Sequence, residues 1–462
     1  MIIQNLLYIY QLEHYDKKRF LVFAYTHLNW FGLRKRATLD WTHRVGLIFS
    51  VSLVLILLPA MIVYFLAGGW SMVVVFVCGV ALLPVLLVLA DIVIAPLVLA
   101  KKNNSMLLAK QVIREGKRDK LLTVGITGSF GKTSLKHILL SILKEKYTVF
   151  SFPGNINTDI GVATYILEHR EAVLKADVLV VEMGAYRKGD IKKMCSVVAP
   201  DYSLTTAIGE CHLERFGSFM NIVSTKFELA NATKKKAFLN MDNANIKQYA
   251  PTKVGTAIET VPVSSSEQIT AVQSLDDFAG LSFTYQGETY TTKLVGGYVT
   301  DLAALAFAFA QELGMSAAEI QRGFEKVDYM PHRLQIMRNE AENRIVIDDS
   351  YNGNYEGFLA GLTVLERAKG RKVVLTPGIV ELGPERSEQV HRALAEYYAT
   401  KVDLLLLVKN KNTEYIVRVL RKMGYNTFKM YDTAQDAHSD LAHVLKDGDT
   451  ILFQNDISDN YI

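Results

Sequence analysis

The sequence predicts an α/β protein in which a pair of apolar helices precedes two doubly wound domains, and three observations carry that reading. An uncharged apolar run from Val45 to Leu66 and a longer one from Trp70 to Ala100 each reach a bilayer span at about 1.5 Å per helical residue. Apolar strand-like runs then alternate with helical patterns from residue 121 to residue 240. From residue 342 a second alternation of the same kind begins, which reads as a separate parallel sheet covered by helices.

The first region, residues 1–120, is expected to hold two transmembrane helices, at about 45–66 and 72–99. Half of the 462 residues are hydrophobic, a high share for a soluble enzyme. Both runs begin too far from residue 1 to be a secretory signal. Lys17, Lys18, Arg19, Arg34, Lys35, Arg36 and Arg44 precede the first run, and Lys101, Lys102, Lys110, Arg114, Lys117 and Arg118 follow the second. Only the uncharged loop Ala67–Ser71 lies between them, so the positive-inside bias places both basic flanks in the cytosol. The expected location is therefore the cytoplasmic membrane, multi-pass, with the catalytic domains in the cytosol. Asp91, inside the second run, is expected at a solvated or interfacial position, with a functional role as the alternative. A net charge of +4 gives no case for nucleic acid. Cys78, Cys195 and Cys211 have unrelated spacings and read as reduced thiols.

The central domain, 121–333, alternates LLTVGI, a helix over 132–145, DVLVVEM, a helix over 188–196, DYSLTTA, a helix over 218–231 and KAFLN. Residues 250–295 break the pattern with short Thr/Ser/Val-rich strands before the apolar helix 299–313. The C-terminal domain, 334–462, reads RIVIDDS, helix 354–369, KVVLTP, helix 384–400, VDLLLLV, helix 412–424, NTFKMY, helix 434–446 and TILFQN.

Chemistry begins at TVGITGSFGKTSLKHI, residues 123–138: a strand, a glycine-rich turn and a helix start. Gly128 and Gly131 let backbone amides approach phosphate, Lys132 reaches toward a nucleotide's β/γ-phosphates, and Thr133 offers a hydroxyl to magnesium. Strict Walker spacing places a glycine at 126, where Ile126 stands. Glu182 ends the next apolar strand, where doubly wound sheets present functional groups. His212 and Glu214 follow another strand, and Lys226 and Glu228 lie on the helix after it.

That order of motifs resembles the Mur ligase family, and within it the branch that adds D-alanyl-D-alanine to a cell-wall peptide precursor. GNINTDIGV (154–162), EMGAYRKGDI, DDSYNGN (348–354) and GIVELG (378–383) support the match, which covers residues 121–450. The resemblance implies a central P-loop ATPase domain, a C-terminal Rossmann-like domain, and a membrane hairpin in place of the family's UDP-sugar-binding domain. It implies ATP and Mg2+ as cofactors. Carried over, Lys132, Glu182, His212, Lys226 and Arg333 are the catalytic residues; Thr133, Glu182, His212 and Lys226, the lysine often carbamylated in the family, hold metal. Nucleotide contacts fall to Thr127, Gly128, Ser129, Gly131, Lys132, Thr133, Ser134, Asn155, Asn157, Asp301, Asp349, Tyr351 and Asn352.

The implied reaction activates a carboxylate as an acyl phosphate and joins it to an amine. Expected partners are the membrane, ATP, an acid that is lipid-linked or an envelope-peptide precursor, and an amino acid or dipeptide. The chain departs from the family pattern at His332, where Gly is usual, at Asp301, where Asn is usual, and in lacking a KGSR ending. Two alternatives remain: a polyglutamate-type polymer synthase, and a non-catalytic nucleotide-binding membrane scaffold.

Overall fold

The computed structural model describes residues 2–13, 15–26, 30, 38–153, 156–351, 353–380, 382 and 384–454. The chain divides between Ser105 and Met106 into two compact units. The first unit is helical: Ile2–Leu12, Lys17–Thr26, His43–Ala67, Gly69–Ala81 and the opening turns of Leu83–Asp119. Its core gathers Leu6, Tyr10, Phe20, Val45, Ile48 and Leu87. His43–Leu66 and Leu83–Asp119 are long and apolar enough to cross a membrane, by length and composition alone. The second apolar run is two helices and not the single one expected, because Pro84 lies in the first turn of Leu83–Asp119. Proline lacks the N–H that a continuing helix needs and fits best at a helix start.

Asp91 is not solvated or interfacial as expected: it is 2% exposed. Arg44 donates to both of its oxygens at 2.8–3.0 Å, and the Tyr10 hydroxyl donates at 3.0 Å. A buried carboxylate needs such partners, since an unpaired one loses its hydration without return.

In the second unit, β1 (Leu122–Thr127), β2 (Val149–Ser151), β3 (Val178–Glu182), β4 (Tyr202–Thr205), β5 (Lys236–Asn240) and β6 (Glu259–Val263) form one sheet. Its order is β2-β3-β1-β4-β5-β6 and every pairing is parallel. The apolar character of β3 follows from burial on both faces. Val178 and Val180 pack with helices Lys132–Leu143 and Tyr298–Glu312, whereas Leu179 and Val181 pack with Asp190–Val198 and Phe219–Ala232. The irregular segment forms an antiparallel sheet of β7 (Ile269–Ser274), β8 (Leu281–Tyr285) and β9 (Glu288–Thr292).

The last sheet contains β10 (Gln335–Asn339), β11 (Arg344–Asp349), β12 (Lys372–Thr376), β13 (Leu404–Val408), β14 (Phe428–Tyr431) and β15 (Thr450–Gln454), in the order β10-β11-β15-β12-β13-β14. Only β10 runs antiparallel to its neighbour. Most expected helices are present with shifted ends; the one expected over 354–369 stops at Leu365. The three-residue β2 was not foreseen, since so short a run carries no periodicity. What positions the site is the order reversal at β1, which lies between β3 and β4: their carboxyl ends open a crevice there.

Candidate active site

The loop after β1 enters helix Lys132–Leu143 through Gly131, whose φ of +80° is left-handed and suits glycine. Gly128 is required by close approach: a Cβ there would overlap Thr206 Oγ1 and come within 3.1 Å of the Ala207 backbone. The loop is stitched to the end of β4, because the Ser129 amide donates to Ala207 O at 2.7 Å and Ser129 Oγ to Gly209 O at 2.9 Å. Lys132 Nζ folds back onto Gly128 O at 2.7 Å and Ser129 O at 3.3 Å. Burial holds this ammonium below its ordinary pKa, with the Glu182 carboxylate acting in the other direction.

Thr133 Oγ1 donates to both oxygens of Glu182 at 3.0–3.1 Å. Lys136, one turn further along the helix, pairs with Glu182 at 3.3 Å. The two side chains expected to meet therefore do so, and Lys136 is an addition that the sequence reading missed. Its signal was the i, i+4 spacing from Lys132.

Beside this pair lies a small cavity of about 50 Å3, lined by Ser129, Lys132, Asn157, Tyr186, His212 and Lys226 among others. Burial and the nearby Lys132 charge bring Lys226 down to about 7, so a large share of this amine is neutral at physiological pH. His212 adopts a left-handed φ of +54° at the start of a short turn and packs edge-on against Tyr186, 5.0 Å between ring centres. Cys211 also lines the cavity. Burial raises its thiol, but the His212, Lys132 and Lys226 charges outweigh that and leave it below the ordinary value. Sequence reasoning counted Cys211 only as a reduced thiol; its place directly before His212 was the available signal.

A larger cavity of about 130 Å3 opens on the other side of the loop, lined by Gly131, Ser134, Thr206, Asn240, Tyr298, Asp301, Arg333, Asn354 and Glu356 among others. Ser265 Oγ donates to Asp301 at 2.5 Å. Burial, aided by the Asp242 charge, raises the Asp301 carboxyl above its usual range, and burial raises Glu356 likewise. Arg333 lies over the Tyr351 ring at 4.7 Å. His332, the departure at this border, has a φ of +62° and bonds Asp348 at 2.8 Å.

Of the residues expected to act, Lys132, His212 and Lys226 share the small cavity, with Thr133 and Glu182 paired beside Lys136. Ser134, Asp301 and Arg333 share the large one. Thr127 is buried, donating to Met183 O at 2.9 Å. Asp349 accepts from the Leu334 amide at 3.1 Å and so fixes the border segment. Tyr351 is exposed, with its ring under Arg333 and its amide donating to His332 O at 3.2 Å. Glu228 accepts from the amides of Gly189 and Lys192 at 2.7 and 2.9 Å, which is helix capping. Asn155 and Asn352 lie outside the described residues. Thr206, Asn240, Tyr298 and Glu356 were not foreseen; Asn354 was foreseen only as the end of DDSYNGN, and it is the N-cap of helix Tyr355–Leu365. Among the described residues, no three His, Cys, Asp or Glu side chains group as a metal cluster.

Residues 126–310 match the Mur ligase middle domain, and residues 332–454 the Mur ligase, glutamate ligase domain. A relative from Escherichia coli, UDP-N-acetylmuramoyl-tripeptide–D-alanyl-D-alanine ligase, is 29% identical over 280 residues, 59% of this chain and 61% of its own. The chain thus spans less than two thirds of that relative's length. The solved MurF of Acinetobacter baumannii superposes with a TM-score of 0.64 at 26% identity, covering 76% of this chain and 77% of its own. MurF ligase from Thermotoga maritima in complex with ADP gives 0.64 at 25%, covering 76% and 80%.

These findings correct one expectation. The multi-pass cytoplasmic-membrane location does not stand: the relatives and solved neighbours that the chain matches are MurF ligases, and the apolar helices alone are weak ground for it. The two apolar helices pass only a test of length and composition, which a buried core helix of a soluble protein also passes. The lipid-linked acid, expected because the hairpin stands in place of a UDP-sugar-binding domain, finds no support among these relatives. What stands is the order of the two matched domains around a shared loop and crevice: the chain belongs to the Mur ligase family.

Proposed function

We propose that the chain is an ATP-dependent, ADP-forming carboxylate–amine ligase, working with Mg2+ through domains 121–333 and 334–462. The observation that carries this reading is the placing of Lys132 and Lys226 on one small cavity beside the Thr133–Glu182 pair. A cavity rimmed by Lys132 and by Lys226, an amine poised between its charged and neutral forms, suits a carboxylate and a terminal phosphate, which repel each other in water. The loop fits a triphosphate: glycine at 128 lets the loop backbone lie against Thr206 and Ala207, and Lys132 is near enough to exchange its carbonyl partners for phosphate oxygens. One carboxylate and one hydroxyl, 3.0–3.1 Å apart, fit a hard cation whose other ligands are phosphate and water oxygens. Such a cation supplies charge neutralisation between acid and phosphate.

In the proposed sequence, a substrate carboxylate oxygen attacks the terminal phosphorus while its bond to the ADP oxygen breaks. The amine then attacks the acyl carbon, and inorganic phosphate leaves with the bonding electrons. Lys132 orients the phosphates, Arg333 approaches from the domain border, and the larger cavity holds the nucleoside. His212 and Lys226 act on the acid's side of the phosphate.

The relatives' names supply the first substrates to try, a UDP-N-acetylmuramoyl-tripeptide and D-alanyl-D-alanine. Purified full-length protein should release ADP and phosphate, with an equal amount of amide, only when acid and amine are both present. ADP binding by calorimetry without turnover across a panel of acids and amines would overturn the ligase reading.

A further inference from the structure

A third cavity, of about 370 Å3, lies away from the site just described and is lined by Lys110, Ile113, Arg114, Lys117, Cys195, Ser196, Val197, Ala199, Ala232 and Lys234. Its position follows from the parallel sheet. The phosphate loop and Thr206 come after β1 and β4 and Glu182 ends β3, whereas Lys117, Ala199 and Lys234 come just before β1, β4 and β5. The cavity is therefore at the opposite end of the same sheet.

Three of its cations, Lys110, Arg114 and Lys117, recur at i, i+4 and i+7 on helix Leu83–Asp119, which puts like charges on one face. Such stacking is unfavourable unless something neutralises it. Asp201 accepts from Lys117, and the same oxygen also takes the Thr123 amide at 2.9 Å and the Thr123 hydroxyl at 3.0 Å. Other nearby carboxylates are committed elsewhere: Glu115 to Arg170 at 2.7 Å and Asp177 to Lys120 at 2.5 Å. Lys110, Arg114 and Lys234 have no carboxylate partner among the described residues. Burial lowers the Lys117 ammonium, with Lys234 and Lys235 adding to the effect against Asp201, so these charges do feel one another.

Compensation of a helix C-terminus accounts for Lys117, in the last turn, but the dipole's effect fades within that turn and leaves Lys110 and Arg114 unexplained. The walls between the cations are apolar: Ile113, Val197, Ala199 and Ala232. Cationic rim and apolar walls at this volume fit a small organic molecule with a multiply charged anionic head.

We propose that this cavity binds a phosphate ester, its phosphate held by Arg114, Lys110 and Lys234 and its organic part against Ile113 and Val197. The site is independent of the nucleotide loop, so its test does not depend on the ligase reading. Phenyl phosphate is the probe, and hydrogen–deuterium exchange of the full chain is the readout. At about ten times the Kd, amides in 110–117, 195–199 and 232–235 should exchange about tenfold more slowly. The same protection is expected in Lys132→Ala, which disables the phosphate loop. It should vanish in Arg114→Glu/Lys234→Glu, whose side chains are exposed and whose substitution leaves the core intact. Protection confined to 128–134, protection that survives in the double variant, or no protection at millimolar phenyl phosphate would each overturn the proposal.

Discussion

The two cavities flanking the phosphate loop differ in how they are made. The small one draws its chemistry from side chains that announce themselves locally: a lysine after a glycine turn, a histidine after a strand end, a lysine on the next helix. The large one is assembled from Thr206, Asn240, Tyr298, Asp301, Arg333 and Asn354, which approach only when two domains and a border segment are folded. Cationic chemistry is thus concentrated where burial already perturbs Lys132 and Lys226, and recognition is spread over the other wall. The expected kinetic signature is a split, with the small cavity governing kcat and the large one governing nucleotide affinity.

The largest expected effect is Lys132→Ala, which should lower kcat/KM by about 10³-fold, in the range for removing a positioned donor to developing charge. A loss below tenfold would remove Lys132 from the small cavity's function. Glu182→Gln should cost about 10²-fold in kcat while melting near the native temperature. Glu182→Ala should in addition destabilise by about 3 kcal/mol, because the buried Lys136 ammonium loses its carboxylate, the uncharged Phe152 O at 3.3 Å being a weaker acceptor. Equal melting temperatures for the two variants would show that Lys136 finds another partner. Arg333→Ala should weaken ADP binding by about tenfold, roughly 1.4 kcal/mol, with the Tyr351 stacking lost; isothermal titration calorimetry measures it. If kcat fell with unchanged ADP affinity, the division between the cavities would be wrong.

A last effect, on stability and not on turnover, lies outside both cavities. His391 is fully buried, its Nε2 accepts from the Ile379 amide at 2.8 Å, and burial holds it below the ordinary imidazole value. A depressed histidine is neutral when folded and takes up its proton on unfolding, so the unfolded state binds more protons below the ordinary value near 6.5. Stability should therefore fall as pH drops from about 7 toward 5, by up to about 1.4 kcal/mol per pH unit. His391→Gln should flatten that slope in thermal melts, and an unchanged slope would assign it to other groups.

These contrasts explain what could be read from the sequence. The alternation that gave both sheets is legible because a parallel strand buried on two faces must be apolar throughout, as Val178–Val181 are. The Thr133–Glu182 pairing was legible because Thr133 opens the helix that follows β1 and Glu182 ends the adjacent β3. Asp349 holds the Leu334 amide, a contact that no local pattern encodes. Asp91 looked interfacial because its partners, Tyr10 and Arg44, are far away in sequence. The membrane location failed for a related reason: apolar length alone does not say what an apolar surface faces.

The seam between Gly128 and β4 bears on how this protein could be altered. Because a methyl group at residue 128 would collide with Thr206 and still crowd the Ala207 backbone after Thr206→Ala, the loop has no neighbouring sequences through which to drift. Directed evolution toward another nucleotide or a synthetic analogue would therefore find its variation along the wall formed by Asn240, Tyr298, Asp301 and Glu356, with residues 128–131 as the fixed gauge against which every variant is measured.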